Sequence, residues 1–127
     1  MSEPEWKLED GYKTVTVTFP SDPPVALRLD VGAVEEILRN LGQFRDQMKP
    51  AVAPTFAMGQ KVGAVPDPAW VTEADLLRGH SLLHLRDPRY GWLHYLLPPH
   101  EAQKLGELLQ KQAELAGAQQ APPAKTN

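Results

Sequence analysis

The chain contains no cysteine among its 127 residues. That excludes a disulfide framework, a thiolate metal site and a thiol nucleophile. Long apolar runs are also missing; the longest are a few residues, far short of the ~20 that a membrane-spanning helix needs. There is no surplus of positive charge either: 13 Lys and Arg stand against 16 Asp and Glu, for a net charge of −3. A dedicated nucleic-acid binder gains its affinity by neutralising phosphates with Lys and Arg, so this acidic balance argues against that class. The first residues, Met1-Ser2-Glu3-Pro4-Glu5-Trp6, have neither the basic stretch nor the apolar run of a secretory signal. These absences set the expectation of a soluble, cytoplasmic protein with no membrane partner and with nucleic acid disfavoured as one.

Catalytic signatures are missing as well. Ser81 lies inside an apolar run without the G-x-S-x-G turn that exposes a nucleophile. Glu35 and Glu36 are consecutive on a helical pattern, so their carboxylates diverge. Gly59-Gln60-Lys61-Val62-Gly63 lacks the spacing and the trailing Lys-Ser/Thr of a phosphate loop. No nucleophile, base and orienting group occur together, so the sequence reads as that of a protein without enzymatic activity and without a cofactor. No motif is specific enough to carry residues over from a known family.

What is present has the composition of a folded domain, with 42% hydrophobic and 23% charged residues. In Tyr12 to Phe19 the residues Val15, Val17 and Phe19 alternate with Thr14, Thr16 and Thr18. Strict alternation with β-branched residues predicts a half-buried strand. Val25 to Leu29 repeats the pattern after the turn formers Pro20-Ser21-Asp22-Pro23-Pro24. A symmetric hairpin pairs Phe19 with Val25, Val17 with Leu27 and Val15 with Leu29, which puts every apolar residue on one face. Asp30 is then a helix N-cap, and Val31, Val34, Ile37, Leu38, Leu41, Phe44 and Met48 recur at helical spacing until Pro50 ends the run.

Residues 49–69 are rich in Pro, Ala and Gly; Lys61 to Val65 is expected as a short edge strand, and Trp70 to Leu77 fits either a strand or a helical turn. Ser81 to Arg86 and Trp92 to Leu97 flank a second turn, Asp87-Pro88-Arg89-Tyr90-Gly91. Pro98-Pro99 opens a helix with Ala102, Leu105, Leu108, Leu109, Ala113 and Ala116 on its buried side and Gly117 as its stop. Both hairpins centre on Asp-Pro, which a doubled ββα unit and two ordinary hairpins both produce.

The expected architecture is α+β: one antiparallel sheet of four to five strands, built from two β-hairpins, with two amphipathic helices on one face in the order ββα-loop-ββα. Residues 1–10 are expected to be a flexible N-terminus, 11–117 a single domain and 118–127 a disordered tail. The expected core is Val15, Val17, Phe19, Leu27, Leu29, Ile37, Leu38, Leu41, Phe44, Leu85, Leu93, Tyr95, Leu105 and Leu109. On that core, Leu27→Asp should unfold the protein by burying an unpaired charge.

The second hairpin carries the candidate site. Its symmetric register sets Arg86 opposite Trp92, His84 opposite His94 and Leu82 opposite Leu96. Leu83, Leu85, Leu93, Tyr95 and Leu97 fall on the other face. Both faces are thus apolar, and such a sheet has something covering each side. The cover is expected to be the loop with Phe56, Met58 and Trp70, a second copy of the chain, or another partner. Leu82, Arg86, Trp92 and Leu96 are the candidate interface residues, since Trp and Arg are favoured interface anchors. The leading expectation is a protein-interaction module such as an adaptor, inhibitor or regulator, working through a partner or through self-association. The alternative is a small-ligand or metal-binding protein centred on the His/Arg face of this hairpin, on His84, His94 and Arg86. Cross-strand imidazoles can share a zinc ion; the sequence names no third ligand, although Glu73 could fold over the pair. Arg78, Arg86 and Arg89 lie around them.

Overall fold

The computed structural model describes residues 3–120. The element order is β1 (Glu5–Glu9), β2 (Thr14–Phe19), β3 (Val25–Asp30), α1 (Val31–Gln47), β4 (Trp70–Asp75), β5 (His80–Asp87), β6 (Gly91–Leu97) and α2 (Pro99–Gln120). There are two separate three-stranded antiparallel sheets, ordered β1-β2-β3 and β4-β5-β6. This corrects the expected single sheet of four to five strands in the order ββα-loop-ββα, with both helices on one face: the order is βββα-βββα. In each sheet the third strand comes from the segment just before the hairpin. Neighbouring strands joined by short turns pair with little loop-closure cost, so each sheet completes itself locally. The chain divides into two compact units, Met1–Val62 and Gly63–Asn127.

In the first unit β1 pairs with β2, setting Trp6 opposite Val17 and Leu8 opposite Val15. The β2–β3 register is the symmetric one read from the alternation: Phe19 with Val25, Val17 with Leu27, Val15 with Leu29. Asp10, Gly11 and Tyr12 all take positive φ in the β1–β2 turn. The outer face of this sheet is polar, carrying Lys7, Glu9, Thr16, Thr18 and Arg28. There the Thr16 hydroxyl donates to Glu9 Oε1 at 2.6 Å. Asp30 caps α1, its Oδ1 accepting from the Ala33 N–H at 2.8 Å, and Met48 ends the helix two residues before Pro50.

The packing is thinner than the sequence implies. Among the described residues Val17, 3% exposed, is the one buried hydrophobic side chain. Phe19, Leu27, Ile37, Leu41, Phe44, Tyr95, Leu105 and Leu109 from the expected core all remain substantially exposed. Along α1 only Ala33, Val34 and Leu38 are half-buried. The helix stripe is there in sequence, but a three-stranded sheet is too narrow to cover its full length.

In the second unit Trp70–Asp75 resolves as a strand, pairing Thr72 with Leu83 and Val71 with His84. No strand forms over Lys61 to Val65. The α2 helix passes through the expected stop at Gly117 to Gln120. A helical glycine costs only about 1 kcal/mol relative to Ala, and the surrounding Ala, Leu and Gln residues favour continuation. The tail assignment for residues 121–127 lies outside the described residues. No helix among the described residues is long and apolar enough to cross a membrane.

The exposures change the expected effect of core substitutions. Leu27 keeps 47% of its surface, so a carboxylate there stays hydrated. Val17→Asp, placing an unpaired charge on the middle strand, is expected to unfold the first unit, whereas Leu27→Asp lowers stability by about 1–2 kcal/mol. Urea melts followed by circular dichroism check the order; equal losses would show that Leu27 is as buried as Val17.

Candidate functional site

The second sheet has two unlike faces. On one, Thr72, Ser81, Leu83 and Leu97 look toward Ala102, Leu105, Gly106 and Leu109 of α2 across a cavity of about 410 Å³. The opposite face follows from the registers. Arg86 lies beside Trp92; the next row is Val71, His84 and His94; the next is Glu73, Leu82 and Leu96; the last holds Asp75 and His80. The candidates Leu82, Arg86, Trp92 and Leu96 therefore do share one face. Glu73, which the sequence offers as a group that could fold over the two histidines, does reach His84, whereas Val71 is not singled out by the sequence because Trp70 to Leu77 suits a strand and a helical turn alike.

This face is apolar and open. Val71 is 49% exposed, Trp92 44% and Leu96 39%, while Leu82 is half-buried. Trp70, one of the residues expected to cover this face, is itself exposed and pairs with Leu85 on the α2 side of the sheet.

Across its middle runs a chain of three polar side chains, one from each strand. Glu73 Oε2 lies 2.6 Å from His84 Nε2, and His84 Nδ1 lies 2.7 Å from His94 Nδ1. The two rings meet edge to face with centroids 5.0 Å apart. The chain fixes the tautomers. A carboxylate only accepts, so His84 donates through Nε2 and keeps a lone pair on Nδ1. His94 must then donate through Nδ1, which leaves its Nε2 as an acceptor. His84 thus spends both nitrogens on its neighbours, and the imidazoles point at each other instead of converging on a common point. No group of three or more His, Cys, Asp or Glu among the described residues could hold a metal ion. His80 is occupied elsewhere, its Nδ1 lying 2.6 Å from the Arg78 carbonyl oxygen.

The basic cluster read from sequence also separates. Arg78 pairs with Asp75 at 3.7 Å, and Arg89 with Asp87 at 3.0 Å. Arg86 has no acidic partner among the described residues. The β5–β6 turn is held by Asp87, the one buried polar residue among the described residues. Its Oδ1 accepts from the Arg89 and Tyr90 backbone N–H groups at 2.7 and 3.4 Å. Gly91 at φ 84° completes the turn in a conformation that suits glycine. This turn sets Arg86 directly across from Trp92.

No family model, no curated protein and no solved structure matches the chain. The site is therefore read from its own geometry.

Two outcomes are expected. At neutral pH, long-range ¹H–¹⁵N correlation spectra should show His94 protonated on Nδ1 and His84 on Nε2; the opposite pattern would break the Glu73–His84–His94 order. The second concerns Asp87, whose carboxyl the Arg89 side-chain hydrogen bond, helped by backbone N–H groups, holds below the usual carboxylate range. A lowered folded pKa stabilises above the unfolded value of about 3.9, and that contribution is lost as pH falls through the folded value. Asp87→Asn should therefore flatten the acid limb of a stability–pH profile below about pH 5. An unchanged limb would remove Asp87 from the fold's acid sensitivity.

Proposed function

We propose that the protein is a non-enzymatic interaction module of the cytoplasm, an adaptor, inhibitor or regulator. Its contact surface is the face of the second sheet opposite α2. Val71, Leu82, Trp92 and Leu96 form the apolar centre of that surface, with Arg86 at its rim. The observation that carries this reading is the exposure of Trp92, Leu96 and Val71 on one regular β surface. Three strands present them at fixed spacing, so little ordering entropy is lost when a partner docks. Trp and Arg are among the residue types most enriched as interface anchors, and Trp92 and Arg86 stand side by side here. The ligand-binding alternative gains no support, because His84 and His94 are committed to each other and to Glu73.

Trp92→Ala is expected to leave the circular dichroism spectrum unchanged and to weaken partner binding or self-association at least ~10-fold, the scale of a truncated anchor. Affinity capture with parent and variant, followed by titration of whatever the parent retains, makes the comparison. Equal binding by both proteins would dismiss this face.

A further inference from the structure

We propose that this face pairs with the same face of a second copy of the chain. The two sheets run antiparallel about a two-fold axis through the Val71–His84–His94 row. The inference rests on reading the face as a contact surface and adds what occupies it.

The argument is the distribution of charge along the strands. Arg86 lies at one end with no acidic partner among the described residues. Glu73, 60% exposed, lies two rows away, while Asp75 one row further is already paired with Arg78. The face thus carries an unpaired guanidinium on one side of its middle row and an exposed carboxylate on the other. A self-complementary surface of this kind meets its own copy when strand direction is reversed, since in an isologous contact residue i meets j and j meets i.

A two-fold axis lying between the sheets and perpendicular to the strands does this. It keeps β4 over β4, β5 over β5 and β6 over β6, and it exchanges the first row with the third. Arg86 on the central strand is then offset sideways by one strand spacing, about 5 Å, from the position of Glu73 in the second copy. Facing sheets lie ~10 Å apart, a gap that a guanidinium and a carboxylate can bridge from opposite sides. On β6, Trp92 of each copy lies against Leu96 of the other, a large ring against a smaller aliphatic group. The middle row meets itself. Val71 packs on Val71 there, and the two His94 Nε2 atoms are both acceptors that one water on the axis can bridge by donating to each.

The size of the face sets the strength. Three strands about 4.8 Å apart and four rows about 6.6 Å apart cover on the order of 350 Å² per copy. The total falls below the ~1,200 Å² of a stable complex, so the pairing is a reversible one with a dissociation constant of tens of micromolar or weaker.

The experiment is sedimentation velocity on the full chain between about 5 and 500 µM, the range in which so small a contact forms. The parent is expected to pass from monomer to dimer. Arg86→Glu and Glu73→Lys are each expected to weaken association at least ~5-fold, because each sets like charges against each other. An equimolar mixture of the two variants restores it, because Arg86→Glu in one copy then faces Glu73→Lys in the other while the native pair survives on the far side of the axis. Circular dichroism confirms that both variants fold. A parent that stays monomeric throughout overturns the pairing, and so does a mixture no tighter than its components. If either result comes with Trp92-dependent capture of a different protein, the face remains a contact surface and only the second copy is ruled out. If Trp92 makes no difference to any binding, the contact surface itself is ruled out as well.

Discussion

Successive side chains of a strand point to opposite faces of its sheet, and each unit of this protein has one helix to offer its sheet. A single helix cannot cover two faces, so the composition of the uncovered face decides what the unit can do. The two units answer this constraint differently. The first finishes its outer face with polar Thr, Lys, Glu and Arg. The second places Val71, Leu82, Trp92 and Leu96 there. The βββα order is the same in both, and the difference in outer faces is what draws function to the second.

The polar groups on that face are arranged to hold geometry. Glu73, His84 and His94 link all three strands side to side, in addition to the backbone ladder. The Asp87 turn fixes β5 against β6 at the row where Arg86 and Trp92 stand. A surface locked in two directions presents its aromatic and its guanidinium in one arrangement, which favours a specific contact over an adaptable one.

Much of this was legible in the sequence, and the failures have physical causes. Both hairpins and their registers could be read because alternation in each pair of strands allows only one pairing that keeps apolar residues together. β1 was hidden because its outward residues Glu5, Lys7 and Glu9 are charged, and a strand with one fully solvated face resembles a polar terminus in composition. Its inward Trp6 and Leu8 carried the signal. β4 was ambiguous because Thr72, Glu73, Ala74 and Asp75 suit a strand as well as a helical turn. Missing these two strands led to the single sheet, since two bare hairpins need each other while two completed meanders do not. The uncovered core residues were illegible for another reason. Periodicity shows which face is apolar but not how much of it a neighbour can reach.

The junction between β3 and α1 has no linker: Asp30 closes the strand and Val31 opens the helix. Asp30 serves both elements at once, pairing with Thr14 across the sheet and capping the helix through its side chain. The rotational phase of the helix is therefore set by the pleat of the strand. One inserted residue at this point would turn the helix by about 100° and swing its apolar stripe away from the sheet. An added residue is better accommodated in the hairpin turns or in residues 49–69 than here, and the strand–helix boundary acts as the ruler of the fold.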